Sequence, residues 1–438
     1  MIESGATTGG WSDGDGLPAL GTAQTTGRFV VVFEEEGDPG PLLENLAGMS
    51  TIAYSGDYDL TAMDMAETAG ADALVFTNLG IAVVTLDSDQ AEALNSSEAA
   101  RGQVLSIAPE LVHHVMPGGG YLDGYRDGVS DLAARMAGAG TEIAGDYEPE
   151  SRPSRFEDDD EATWGLRATR ALGSDATGEG IRVAVLDTGM DLKHPDFAGR
   201  SITSQSFVPG QRVQDGHGHG THCIGTACGP RSPSGTRRYG VAHKAEIFVG
   251  KVLSNEGYGD DAGILAGIEW AVANECPVIS MSLGADVPES HPPYNVAGRR
   301  ALRRGSLIIA AAGNNANRPG DPGFVGAPAN SPDIFAVGAL DNRLRMAWFS
   351  ARSLPGRGGQ LDIAGPGVDV YSAWPMPKRY NTISGTSMAT PHVAGVAALW
   401  AQVTGRRGLE LWATLMKESR RLDRQSADVG AGLALAPK

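Results

Sequence analysis

Three short segments hold side chains that could perform chemistry together. The first ends in Asp187, which closes the apolar run Arg182-Val-Ala-Val-Leu186 and precedes Thr188-Gly189. A carboxylate at the end of a buried strand is rigid, which suits it to orienting an imidazole and stabilising its cationic form. An aspartate in that place serves equally well as a turn or cap residue. The second segment, Asp215-Gly-His217-Gly-His219-Gly-Thr-His222, sets three histidines among glycines that admit close backbone approach. A metal site is one reading, but the spacing i, i+2, i+5 does not share one helical face. A general base is the better one, with His222 as a structural, hydrogen-bonded ring. The third is Ser384-Gly-Thr-Ser387-Met-Ala-Thr-Pro391-His392, leading into a small-residue helix expected over 393–402. There a serine keeps its hydroxyl free while its N–H and the helix dipole favour negative charge, as an acyl-transfer oxyanion requires. The alternative is an ordinary serine N-cap.

The chain around these segments has 438 residues, which suggests two or three folding units. Its 41% hydrophobic and 20% charged residues fit a globular protein with a sizeable core. The longest apolar runs, 306–312 and 393–401, fall far short of the roughly 20 residues that span a bilayer, so no membrane anchor is expected. A net charge of −18, with no Lys/Arg stripe carrying aromatics, argues against nucleic-acid binding. Cys223, Cys228 and Cys276 cannot all pair and form no Cys-x-x-Cys, so free thiols are expected rather than disulfides or zinc. Residues 1–16 lack both a positive n-region and an apolar h-region, which leaves either a cytoplasmic protein or a leader outside this sequence.

Elements that could position the three segments follow from periodicity. From residue 162 to 438, β-branched runs at 181–187, 246–253, 278–283, 307–312 and 334–340 alternate with helical patterns at 260–273 and 295–304. Continuously apolar strands separated by helices predict an α/β fold, a parallel sheet covered on both faces with its chemistry at the carboxyl ends of the strands. Before it, 1–27 reads as a Gly/Thr/Ser tail and 117–161 as a Gly/Pro-containing acidic linker. Between them, 28–116 predicts a strand at 28–34, a helix at 57–69, a hairpin of 73–77 and 80–86, a helix at 88–94 and a strand at 104–115. That order is the ferredoxin-like split βαβ arrangement.

The motifs VAVLDTG, HGHGTHCIGT, SMSLG, AAAGNNA and SGTSMATPHVAG, in this order, resemble the subtilisin family from about Trp164 to Gly432. The resemblance implies a three-layer subtilisin-like fold and a serine endopeptidase acting on proteins or peptides. It assigns Asp187 as orienting acid, His219 as general base, Ser387 as nucleophile and Asn314 as oxyanion donor, with no cofactor needed for the chemistry. It makes Ser282-Leu283-Gly284 and Gly257-Tyr258-Gly259 the two edge segments that pair with extended substrate. Asp260 and Asp261 lie near the subsite for the fourth residue before the cut, where acids would favour a basic side chain; an acidic first helical turn is the plainer explanation. Cys223 and Arg238-Tyr-Gly-Val-Ala-His-Lys are similar to the proteinase K branch. In that branch a thiol lies beneath the histidine and a structural calcium site matches Pro332, Ile334 and Asp362 here.

Residues 28–116 resemble the family's propeptide, a chaperone and inhibitor acting in cis within a zymogen. The alignment implies a cut after Met116, which Pro117 should slow because its nitrogen is rigidly substituted; the alternatives are processing within the linker up to Glu161, or a tail that stays as a slow inhibitor. Two rivals remain: a catalytically silent binding protein, and an α/β-hydrolase esterase, which the missing Gly-x-Ser-x-Gly and the Asp-first order disfavour.

Overall fold

The N-terminal strands alternate between two cores, and this fixes how the first unit sits on the second. The computed structural model describes residues 24–34, 39–58, 62–97, 100, 102–115, 156–354 and 359–438. The expected tail up to residue 23, the linker over 117–155 and the Met116-Pro117 bond lie outside the described residues. The first unit runs through Thr25–Phe33 (β1), Pro39–Ala47 (α1), Ile52–Tyr54 (β2), Ala73–Phe76 (β3), Ile81–Val84 (β4), Ser88–Ser96 (α2) and Val104–Val115 (β5). Its strands lie in the order β5-β1-β4-β3-β2. Val31, Phe33, Val75 and Val84 face Leu42, Leu43 and Leu94 of the two helices. Val30, Val32, Leu74 and Val83 point the other way, into a core shared with the second unit.

The helix expected at 57–69 does not form. Ser55–Tyr58 is a 3-10 turn, and Asp64 accepts the N–H groups of Ala66 and Glu67 at the start of a single turn. Met63 and Met65 both enter the shared core, a spacing of two that extended chain satisfies and a helix does not. The helix lies earlier, at α1. Thr25 to Gly27 belong to β1 rather than to the tail, with Thr25 opposite Leu111.

The second unit contains Trp164–Ala168 (α3), Arg182–Asp187 (β6), Ile202–Ser206 (β7), His219–Cys228 (α4), Glu246–Lys251 (β8), Tyr258–Asp260 (β9) and Asp261–Ala273 (α5). It continues with Val278–Met281 (β10), Leu283–Gly284 (β11), Pro292–Arg303 (α6), Leu307–Ala311 (β12), Phe335–Leu340 (β13) and Ile363–Pro366 (β14). A hairpin of Val370–Ala373 (β15) and Tyr380–Ile383 (β16) leads to Thr386–Thr404 (α7), Gly408–Lys417 (α8) and Ser426–Val429 (α9). Seven strands form a parallel sheet ordered β14-β13-β12-β10-β6-β8-β7. Val183 and Val185 of β6 face the layer containing α4 and α7, whereas Ala184 and Leu186 face the layer containing α5 and α6. Burial on both faces is why the central strands β6, β10, β12 and β13 are mostly apolar, whereas β7 at the sheet edge, Ile-Thr-Ser-Gln-Ser, is half-buried. No helix among the described residues is long and apolar enough to cross a membrane.

Residues 157–161, expected in the linker, pack on this unit. Asp158 accepts the Trp164 N–H at 2.7 Å, Asp159 accepts those of Glu161 and Ala162 at 2.9 Å each, and Phe156 packs beside Leu340 and Leu433. The acid run thus caps the turn into α3 and the second unit begins by Phe156.

Glu269, on α5, holds the first unit down. Its carboxylate accepts from Ser55 Oγ at 2.8 Å, Asn78 N and Nδ2 at 2.8 Å each, and Leu79 N at 3.0 Å. Arg300 of α6 donates to the Leu79 and Phe33 carbonyls on the same side. Desolvation raises the Glu269 pKa, and the four donors oppose it. Glu269→Ala is therefore expected to speed hydrogen exchange at the Asn78 and Leu79 amides by about tenfold or more, while the amides of β10 stay protected. Unchanged exchange at the hairpin would refute this docking role.

Candidate active site

The central strands end on one edge, and the chemical residues follow them. Asp187 is the last residue of β6, Ser282 follows β10 and Asn314 comes three residues after β12, and these three strands are neighbours in the sheet. His219 opens α4 and Ser387 is the second residue of α7.

Asp187 is 1% exposed and His219 5%. The ring Nδ1 of His219 lies 2.8 Å and 3.0 Å from the two carboxylate oxygens, and the Thr188 N–H donates to Oδ1 at 2.7 Å. Burial alone would lower the His219 pKa; the Asp187 charge, together with the Cys223 sulfur and the hydrogen bonds to both, outweighs this and holds it well above 6.5. Nδ1 is thereby fixed as the donor to Asp187, and Nε2 has no partner among the described residues. His217 stands edge-on to this ring, 6.2 Å between centroids, and desolvation, then His219, lower its pKa. His222 is buried with Nε2 3.0 Å from the Val370 carbonyl, and desolvation drops it to about 3, so it stays neutral.

Asp215 organises the loop entering α4. It accepts from Thr188 Oγ1, His217 N, Gly218 N, Thr221 N and Thr221 Oγ1 at 2.7–3.0 Å. Close approach requires glycine at two points. A Cβ on Gly220 would sit 2.2 Å from the Gly189 carbonyl oxygen, and one on Gly189, at φ +102°, 2.1 Å from that of Val213. Lys251, fully buried, reaches the Thr188 carbonyl at 2.5 Å and Asn255 Oδ1 at 2.9 Å, tying the strand end to the loop before β9.

Ser387 lies inside α7, which starts at Thr386 rather than at the expected 393, although Pro391 stands within it. The proline's missing N–H would leave the Ser387 carbonyl, four residues back, without its helical donor. Ser282 Oγ donates to that carbonyl at 2.8 Å and the Cys223 thiol approaches it at 3.5 Å, so the loss is offset. The Ser387 hydroxyl in turn donates to the Ser282 carbonyl at 3.2 Å. Asn314 Oδ1 accepts from the N–H and hydroxyl of Thr386 at 2.9 Å each. This turns its Nδ2 toward Gly385, whose Cβ, were there one, would lie 3.2 Å from it. The Ser387 N–H, in the first helical turn, has no acceptor within the helix.

The two expected edge segments are both occupied by the chain itself. β5 runs antiparallel between β9 and β11, with His113 opposite Gly259, His114 opposite Tyr258 and Gly284, and Val115 opposite Leu283. The Val115 N–H donates to the Gly257 carbonyl at 2.9 Å.

Asp187, His219 and Cys223 each offer a ligand atom within 4.8 Å of the others. Desolvation pushes the Cys223 thiol up to about 11, so it is protonated near neutrality and a poor metal ligand there. All three cysteines are free and buried.

Residues 178–432 match the subtilase family, peptidase S8. The chain belongs to the subtilase family. This subtilase is 40% identical over 279 residues to M-protease of Shouchella clausii (strain KSM-K16), covering 60% of this chain and 69% of that protein. It is 40% identical over 262 residues to Subtilisin Savinase of Lederbergia lenta, covering 57% and 91% respectively. With Subtilisin E of Bacillus subtilis (strain 168) it shares 39% over 252 residues, covering 56% and 63%. Like them it is a serine endopeptidase, whose substrates are proteins or peptides.

Sequence reading passed over Asp215 although it stands within the histidine segment, where an acid two and four residues before His217 and His219 was the available signal. Lys251 carried none. Asp187→Asn keeps the shape and removes the charge, so the His219 pKa is expected to fall to 6.5 or below, read by NMR titration of its ring protons. A pKa raised in the folded state adds stability below about 6.5 that is lost as pH rises through the raised value, so this pH dependence should shrink in the variant.

Proposed function

We propose that this subtilase hydrolyses peptide bonds through an acyl-enzyme on Ser387, and that residues 28–116 are its cis-acting propeptide. The observation that carries the reading is the seating of β5 between β9 and β11. An extended chain paired on both sides leads to Leu283, the neighbour of the Ser282 that holds the Ser387 hydroxyl. For attack the hydroxyl leaves the Ser282 carbonyl and turns to His219 Nε2, which takes its proton; Asp187 stabilises the resulting imidazolium. The tetrahedral oxyanion then accepts from Asn314 Nδ2 and the Ser387 N–H. His219 returns the proton to the leaving amine, and water repeats the sequence to release the acid. Because His219 must be neutral to act as base, activity falls as pH drops through its raised pKa.

With β5 seated, substrate has neither edge free, which makes the full chain a zymogen. The cut that releases the first unit follows Met116 in this reading, outside the described residues, and Pro117 retards it. Cys223 under His219 keeps the likeness to the proteinase K branch, with a thiol 3.8 Å from Nδ1.

The donor set proposed for calcium also has a physical signature. The Asp362 carboxyl takes one backbone N–H, from Ala336 at 2.8 Å, and desolvation pushes it up to about 7. A carboxylate so poorly compensated suits a cation neighbour, with the Pro332 and Ile334 carbonyls as further oxygen ligands and a purely structural role.

Ser387→Ala is expected to abolish peptidase activity and fluorophosphonate labelling and to leave the chain full length by intact mass. The loss in kcat is about 10⁶-fold, a magnitude that belongs to subtilisin itself rather than to this geometry. Undiminished hydrolysis would overturn the assignment. Chelation should lower the melting temperature and added calcium restore it, with Asp362→Asn insensitive to both; equal shifts in the two proteins would remove the calcium proposal.

A further inference from the structure

The residue of β5 opposite Gly259 is His113, and its side chain is fully buried in the second unit. Its Nε2 lies 2.7 Å from Asp261 Oδ1 and 3.2 Å from the Tyr294 hydroxyl. The Tyr294 hydroxyl donates to the same Oδ1 at 2.7 Å, and the two rings meet edge-on with centroids 5.4 Å apart. On the other side, Asp261 Oδ2 takes the Leu111 N–H at 2.7 Å and faces His291 Nε2 at 3.2 Å. Asp261 is itself fully buried at the first turn of α5, so its charge is stabilised by these donors and not by water.

We infer that the pocket of Asp261, His291 and Tyr294 is a specificity pocket, selecting substrates with a nitrogen-donor side chain, histidine foremost, four residues before the cleaved bond. The inference rests on the proposed register, in which Met116 is the first residue before the bond and His113 the fourth. When β5 leaves, Asp261 keeps Tyr294 and His291 and loses two donors, the Leu111 N–H and the His113 ring. Any substrate that continues as a paired strand restores a backbone N–H at the place of Leu111. Only its side chain at the place of His113 can restore the other. An apolar or small residue there leaves a buried carboxylate short of a donor, which costs more than an unmade bond at the surface. A glutamate adds a second negative charge beside it. Sites built around a hydrogen bond reject analogues that lack it far more strongly than apolar pockets reject a missing methylene. Histidine fits best because its ring also meets the edge of Tyr294; arginine and lysine bring the donor without that contact.

The test uses the full-length protein and an equimolar mixture of peptides containing X-His-Val-Met-Ala, with X as His, Arg, Ala, Phe or Glu, followed by mass spectrometry. Competition within one mixture yields ratios of kcat/KM that do not depend on how much enzyme is free of its own β5. Cleavage after Met is expected to favour X = His over Ala and Phe by about tenfold or more, with Arg between and Glu slowest. In Asp261→Ala the His-to-Ala ratio should collapse to within about twofold; if that variant does not fold, the wild-type series decides. Equal rates, or Phe as the best residue, overturn the pocket assignment while leaving the peptidase reading intact. Cleavage at another bond overturns the register. Absence of any cleavage together with absence of fluorophosphonate labelling, in protein whose intact mass shows the first unit cut away, overturns the proposed peptidase site, and the pocket's role with it.

Discussion

A carboxylate buried at the end of a central strand is the constraint around which the rest is arranged. Asp187 is 1% exposed and would be costly there without partners. It has the Thr188 N–H on one side and the His219 ring on the other. Holding that ring in place requires α4 to begin at His219, which requires the Asp215 loop beneath it, which in turn requires Gly189 and Gly220 where backbones touch. Lys251 then anchors the turn after Asp187 from the next strand. The proposed base is thus a consequence of satisfying one buried charge.

The same economy governs the proposed nucleophile. Pro391 removes one helical hydrogen bond, and the carbonyl it would have bonded is that of Ser387. Ser282 and Cys223 take over that carbonyl, so the segment after β10, the helix carrying the histidine and the helix carrying the serine are joined at one atom. A small displacement of any of the three would be felt by the others, because interiors are close-packed.

The first unit has its own core between β-sheet and helices, yet its other sheet face is completed only by the second unit. Three buried acids make the junction. Glu269 receives the hairpin, Asp261 receives His113 and the Leu111 N–H, and Glu110 of β5 accepts the Ala262 N–H at 3.0 Å while pairing with Arg28 at 2.7 Å. Each takes up unpaired backbone donors, so the contact is specific in register as well as in position.

The sequence by itself pointed to the parallel α/β sheet and marked Asp187, His219 and Ser387 as candidates, because each stands in a strand-to-turn or turn-to-helix segment whose pattern is local; Asn314 and the division of roles came only with the resemblance to the subtilisin family. It also placed β5 and the hairpin of β3 and β4 within a residue or two. Local pattern failed where distant packing decided the outcome. Residues 57–69 have helical composition, but burying both Met63 and Met65 under the second unit is not compatible with one continuous helix, and only a single turn closed by the Thr68 N–H on the Asp64 carbonyl forms. The acid run 157–161 looks like linker until Asp158 and Asp159 meet the N–H groups of α3 and the turn before it. Most of all, the pocket around Asp261 joins groups 148, 33 and 30 residues away in the chain. Such a hydrogen-bond cluster leaves no periodicity to read, since its bonds gain strength from a low-dielectric surrounding that exists only once the two units are packed together.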